Sequence, residues 1–208
     1  VNIPTTFVCT GTFTTLNAGN AGSSYLWSTG DTTQTIDVTA PGNYAVTVTN
    51  NFGCSSTDTV LVTPGGSITN NQANISMCQG LTATLDAGNP GNSFLWSTGA
   101  VTQTITVSSS GQYAVTITNL NGCTATMIST VQVNPLPSAA ITINDACINQ
   151  AIQFFDSSSI SAGNISNWQW SFGDSALSNV QNPTHNFANA GTYNISLVVT
   201  SAAGCMDS

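Results

Sequence analysis

The sequence predicts an all-β chain built from tandem β-sandwich domains. Three observations carry this. A long segment repeats at a fixed offset of 69 residues, too long for one turn of a solenoid and about the size of a small sandwich. Short runs alternate apolar and polar residues with period two and are separated by turn signals. The polar surface is made of Thr, Ser, Asn and Gly, with no Glu, Lys or Arg to favour helices, and Thr suits a half-buried pleat.

The first domain is expected over residues 1–64. Tyr44, Val46 and Val48 point one way and Ala45, Thr47 and Thr49 the other, which is the pattern of a strand with one buried face. Asn17-Ala18-Gly19-Asn20, Thr29-Gly30-Asp31, Pro41-Gly42-Asn43 and Asn50-Asn51-Phe52-Gly53 read as turns. The second domain, 68–134, repeats the first. Ser23 to Gly30 returns as Asn92 to Gly99, Thr33 to Ile36 as Thr102 to Ile105, and Gly42 to Thr47 as Gly111 to Thr116. Between Cys9–Cys54 and Cys78–Cys123, 28 of 46 positions are identical without a gap. The third domain, 138–208, differs in sequence and reads as truncated at its C-terminal end. Its expected strands are Ala151 to Phe155, Trp168 to Phe172 and Asn194 to Val199, the last led by Gly191-Thr192-Tyr193. Thr63-Pro64-Gly65-Gly66-Ser67 and Asn134-Pro135-Leu136-Pro137 read as linkers, the second stiffened by proline.

The six cysteines fall two to a unit. Even number, repeated placement and the absence of CxxC point to disulfides rather than zinc, which needs clustered Cys and His. The expected pairs are Cys9 with Cys54, Cys78 with Cys123 and Cys147 with Cys205, one bridge per domain. Loops of this length stabilise by about 4 kcal/mol in the chain-entropy model, and disulfides place the protein outside a reducing cytosol. Trp27, Trp96 and Trp170 sit mid-strand, where a sandwich buries a large aromatic; a core role is favoured over sugar stacking, and Trp168 is counted with them.

Composition excludes several functions. With no Lys or Arg and a formal net charge of −8, the chain lacks the cations that displace counterions from nucleic acid or attract anionic lipid, and it holds no P-loop lysine. No apolar run approaches the ~20 residues of a membrane span. Val1-Asn2-Ile3-Pro4 has no charged or hydrophobic leader region, so the chain reads as a piece of a longer polypeptide. No catalytic residue is expected. His185, the one imidazole, follows the turn Asn182-Pro183-Thr184 without triad context. The Asp residues are scattered, and the nearest two in sequence are Asp31 and Asp37, not a paired-carboxylate site. No cofactor or metal site is expected. Calcium would suit Asp and backbone carbonyls, but no D-x-D-x-D-G loop occurs and Asp58 and Asp86 flank the first linker only distantly. Asn74, Asn164 and Asn194 head Asn-Ile-Ser triplets, which an Asn- and Ser-rich chain produces by chance.

Leu85 to Ala100, with Thr-Gln-Thr-Ile, Gly-Gln-Tyr-Ala-Val-Thr and Asn-Gly-Cys after it, resembles the Ig-like repeats of giant surface proteins of Bacteroidota. The third unit resembles a PKD domain through Trp170-Ser171-Phe172-Gly173-Asp174, Gln181 to Phe187 and Gly191-Thr192-Tyr193. It departs at Ser175, where the family usually has a second Gly. The resemblance implies Ig-like and PKD-like sandwiches, type IX secretion to the outer surface of a Gram-negative bacterium, and a place in a cell-surface adhesin or filament such as those of gliding motility. The phylum's O-glycosylation pattern falls on Thr59 and Ser175. The implied role is a stalk or fibre segment whose partners are neighbouring domains of the same chain, lateral copies or surface glycans, with no nucleic acid and no membrane insertion. The alternative is a set of accessory modules of a secreted hydrolase, polysaccharide-binding in the PKD-like unit. Without Lys, sheet edges need another guard: proline, bulges, glycans or lateral packing.

Overall fold

The computed structural model describes residues 3–144 and 150–208. The first repeat forms β1 (Thr6–Val8), β2 (Thr14–Asn17), β3 (Ser24–Trp27), β4 (Thr35–Val38), β5 (Gly42–Thr49) and β6 (Ser55–Pro64). The second forms β7 (Asn74–Cys78), β8 (Ala83–Asp86), β9 (Ser93–Trp96), β10 (Thr104–Val107), β11 (Gly111–Thr118) and β12 (Thr124–Asn134). The third region forms β13 (Pro137–Ser138), β14 (Ile141–Ile143), β15 (Ile152–Asp156), β16 (Ser159–Ile160), β17 (Ile165–Ser171), β18 (Leu177–Ser178), β19 (Thr184–His185), β20 (Ser196–Ser201) and β21 (Met206–Asp207).

The chain divides into two compact units. One comprises Val1–Asn71, Asp86–Gln103 and Ala114–Met127; the other comprises Gln72–Leu85, Thr104–Tyr113 and Ile128–Ser208. The four-stranded sheets of the two repeats share one order, β1-β6-β5-β3 and β7-β12-β11-β9. Each is accompanied by a two-stranded sheet, β2-β4 and β10-β8. The third region pairs a β18-β17-β20-β21 sheet with β14-β15-β19 and β13-β16. The expected all-β class of tandem β-sandwich domains holds.

The alternation in β5 does what its pattern dictates. Val46 and Val48 enter the first core with Leu16, Trp27, Ile36, Val60 and Val62, all fully or nearly fully buried. The Trp27 Nε1–H donates to the Thr33 carbonyl at 2.9 Å, and Trp96 repeats the contact on Thr102 at 2.8 Å. A buried indole is thereby left with no orphan donor. In the third core Trp170 and Phe172 are buried with Phe154, Leu197 and Val199. Trp168 is corrected from core to half-buried: it packs on the rim of that cluster, because its Nε1–H reaches out to Asp156 Oδ2 at 2.6 Å.

Two boundaries differ from expectation. Gly42 and Asn43, read as a turn, begin β5, because β6 is long enough to pair Gly42 with Val62. Asn194 and Ile195, read as strand, precede β20, because its partner β17 ends at Ser171, opposite Ser196. The edges of the first sheet, β1 and β3, are three and four residues long. Very short edge strands leave little template for another chain and answer the missing lysines.

Candidate functional site: the cysteine joint

Three loops of the same design close the last hairpins. In each, the fifth residue is a cysteine preceded by a glycine at φ 81°, 78° and 83° (Gly53, Gly122 and Gly204). The first residue is bonded to the cysteine through the backbone: Asn50 N–H to the Cys54 carbonyl, Asn119 to Cys123 and Ser201 to Cys205, at 3.0, 2.9 and 2.8 Å. Each first residue also accepts the cysteine N–H on its side chain, at Asn50 Oδ1 (3.0 Å), Asn119 Oδ1 (2.9 Å) and Ser201 Oγ (3.1 Å). Only a residue free to adopt positive φ fits the fourth position cheaply. The loop fixes its cysteine at the pole of a sandwich.

The first cysteine of each repeat is fixed at the other end of the same strand. β1 runs parallel to β6, with Val8 opposite Pro64, and the Gly65 N–H donates to the Val8 carbonyl at 2.8 Å. Cys9 therefore stands beside Gly65, where β6 ends, whereas Cys54 immediately precedes Ser55, where β6 begins. Those 11 residues span ~36 Å at about 3.3 Å per residue, against a limit of about 7 Å between the Cα atoms of a disulfide. In the second repeat Cys78 stands opposite Asn134 at the end of β12, and Cys123 immediately precedes its first residue.

The expected pairing inside each repeat is accordingly corrected. Cys9 is bonded to Cys123, with Cα atoms 5.5 Å apart and a sequence separation of 114. Cys78 is bonded to Cys205 at 5.6 Å and a separation of 127. Cys54 is a free, exposed thiol, and Cys147 lies outside the described residues. Bridges thus join the first cysteine of one repeat to the second cysteine of the next, in place of one bridge per domain. Cys9 and Cys78 are followed at once by turns closed by Thr12 and Leu81, so they lie at strand ends and not mid-strand beside the tryptophan, where an inter-sheet bridge would have to lie.

The Cys9–Cys123 joint is close-packed. Asn119 Nδ2 donates to the Gly65 carbonyl at 2.7 Å and Asn121 Nδ2 to the same oxygen at 3.1 Å. A Cβ on Gly65 would overlap Cys123 Sγ and lie 3.0 Å from the Val8 carbonyl oxygen. The residue 69 positions after Gly65 is Asn134, which bears a side chain and donates to Ser76 Oγ at 2.8 Å. There the loop facing it begins with Ser201, and Asn134 and Ser201 line one open depression. Asn119 thus bonds to the carbonyl of a residue without a side chain, whereas Ser201 shares a depression with a residue that has one.

The other sequence candidates do not assemble into a catalytic or metal centre. His185 Nε2 lies 2.7 Å from Asp174 Oδ2. Its ring stacks on Phe172 at 4.2 Å and meets Phe187 edge-on at 4.5 Å. That hydrogen bond chiefly, against slight desolvation, holds the Asp174 carboxyl below its usual range. Asp58 accepts the Ile3 and Thr59 N–H groups, and Asp86 those of Gly88 and the Gln103 side chain. Asp31 and Asp37 bond to Thr29 and Thr15. Among the described residues no three His, Cys or Asp converge as metal ligands, and no helix is long and apolar enough to cross a membrane. Thr59 and Ser175 are exposed, as are Asn74, Asn164 and Asn194.

The PKD domain family matches residues 132–208. Among solved structures, the chain is similar to the PKD1 domain of the Vibrio cholerae metalloprotease PrtV. Identity is 30%, covering 35% of this chain and 86% of that one, at a TM-score of 0.33. It is also similar to the N-terminal eight Ig domains of Down Syndrome Cell Adhesion Molecule. There identity is 15%, covering 98% of this chain and 35% of that one, at a TM-score of 0.50. A three-Ig fragment of titin, I67–I69, matches at 11% identity over 99% of this chain and 95% of that one, at a TM-score of 0.43. No curated protein matches the chain. The PKD match over residues 132–208 and the Ig-like fold shared with the Down Syndrome Cell Adhesion Molecule fragment support a protein built of PKD and Ig-like repeats. Such domains are typically non-catalytic modules, and with disulfides they fit an extracellular location.

Proposed function

We propose that this chain is a load-bearing segment of an extracellular repeat array: three β-sandwich domains, at 1–64, 68–134 and 138–208, in the stalk of a surface adhesin. The likeness of Leu85 to Ala100 to the Ig-like repeats of Bacteroidota supports an adhesin exported by type IX secretion. The chain carries no Lys or Arg for a trypsin-type protease to cut, which suits life outside a cell. Glycans on the exposed Thr59 and Ser175 belong to the same reading.

One observation carries the load-bearing role. The loops closed by Cys9–Cys123 and Cys78–Cys205 overlap. In the reduced chain 196 residues separate Cys9 from Cys205; with both bonds closed, the shortest covalent route runs through Cys123 and Cys78 and contains 45. At about 3.5 Å per extended residue the limits are ~690 Å and ~160 Å. An array of such bridges can lose its fold under tension without paying out its length. Single-molecule stretching from the two termini, with and without reductant, tests this. The oxidised chain is expected to stop about fourfold shorter between these cysteines; full extension before reduction would refute the proposal.

A further inference from the structure

The loop Asn50 to Cys54 is the twin of the loop Asn119 to Cys123, yet nothing in the described residues occupies it. Asn50 aligns with Asn119 and Cys54 with Cys123 at the 69-residue offset. The backbone bonds match, and both asparagine Oδ1 atoms accept the same two N–H groups. The difference lies in the outward side. Asn119 Nδ2 donates to Gly65 and Cys123 is bonded and buried. Asn50 and Cys54 are exposed and line an open depression of ≈ 290 Å³ with Val48, Ser55 and Ser23. Beside them Phe52, at the position of Asn121, is 92% exposed.

We infer that Asn50, Phe52 and Cys54 form an acceptor face for the exit pole of a further repeat of this kind, which presents a cysteine at the end of its first strand and a glycine at the end of its last. The occupied twin specifies this occupant. The exit cysteine takes the place of Cys9 and bonds to Cys54 Sγ. The exit glycine carbonyl takes the place of the Gly65 carbonyl and accepts from Asn50 Nδ2. Glycine is required because a Cβ at the exit position would overlap the loop cysteine's sulfur, as at Gly65 and Cys123. The bond forms by thiol–disulfide exchange. The exit cysteine first forms a mixed disulfide with glutathione disulfide, releasing one glutathione. The Cys54 thiolate then attacks the exit cysteine's sulfur, the glutathione–sulfur bond breaks, and the second glutathione leaves. Two thiols thereby pass two protons and two electrons to one glutathione disulfide.

The inference rests on the array reading and has its own test. A second copy of residues 1–69 is placed ahead of the intact 208-residue chain, which sets the added copy's first cysteine 114 residues before Cys54, the separation found for Cys9 and Cys123. The protein is refolded in reduced and oxidised glutathione and mapped with chymotrypsin without reduction. The added first cysteine is expected on Cys54, with the free thiol moved to the added copy's second cysteine. Placing Ala at the added copy's exit glycine, the equivalent of Gly65, is expected to lower that bond's yield at least about fivefold, the effect of a ~1 kcal/mol overlap. Cys54 remaining alkylatable while Cys9–Cys123 and Cys78–Cys205 form would overturn the acceptor face and leave the array reading standing. Absence of Cys9–Cys123 itself would overturn both.

Discussion

Gly65 offers a sharp test of the joint. Gly65→Ala places a Cβ into the space of Cys123 Sγ, 3.0 Å from the Val8 carbonyl oxygen and 3.3 Å from Cys9 Cα. Two of these neighbours are backbone and the third is tied by the disulfide, so none can swing aside. Overpacking of this kind costs about 1–3 kcal/mol. Reduction frees the Cys123 side chain to rotate, so the cost falls mainly on the oxidised form. At 1.36 kcal/mol per decade, the equilibrium constant for closing Cys9–Cys123 against glutathione should drop about 5- to 150-fold. Gly42→Ala is the control: its Cβ would meet only Tyr44 Cε2, at 3.8 Å, and the constant should not move. The assay is quenched alkylation and mass mapping across a series of glutathione ratios. An unchanged constant in Gly65→Ala, or an equal fall in both variants, would show that the joint is not packed against Gly65 and would refute the reasoning.

Three further outcomes follow from the same geometry. Replacing Cys9 and Cys123 together by Ser opens a loop with a separation of 114, worth about 4.8 kcal/mol in the chain-entropy model; the urea midpoint should fall, and fall further for the wild type in reductant, which opens Cys78–Cys205 as well. Ser175 holds φ 77°, a region that costs a non-glycine residue about 1–2 kcal/mol. Ser175→Gly should therefore raise the stability of the third sandwich by about 0.5–1 kcal/mol after the glycine's own entropy is deducted, read as a rise in thermal midpoint. Acid should also destabilise that sandwich. Burial is the largest single influence on Asp156 and raises its pKa. Hydrogen bonds from Ser158, Gln181 and Trp168 together outweigh it, and both Asp156 and Asp174 are held below 3.8. A carboxyl depressed in the folded state stabilises above its unfolded pKa and loses that contribution as pH falls through the folded value. Tryptophan fluorescence should stay flat down to about pH 4 and change below it, and Asp156→Asn should flatten the acid limb.

Much of this molecule was legible in its sequence because the relevant physics is local. Alternation at Tyr44, Val46 and Val48 set the buried face of β5, and the Asn50–Gly53 signal set its closing turn. The Trp27 and Trp96 positions marked two cores before any fold was known. The pairing of the cysteines was not local. Whether Cys9 meets Cys54 depends on β1 running parallel to β6, which puts the two thiols at opposite ends of one ten-residue strand. A repeat count is blind to strand direction, since both pairings use the same residues at the same spacing. Trp168 departs from its pattern for a related reason. Period two put it on the core side, but Asp156, twelve residues earlier, drew its indole N–H to the rim. The sequence alone determined the strands, their buried faces and the repeat; the tertiary structure decided which cysteines share a bond, because that depends on which ends of the strands are brought within disulfide reach.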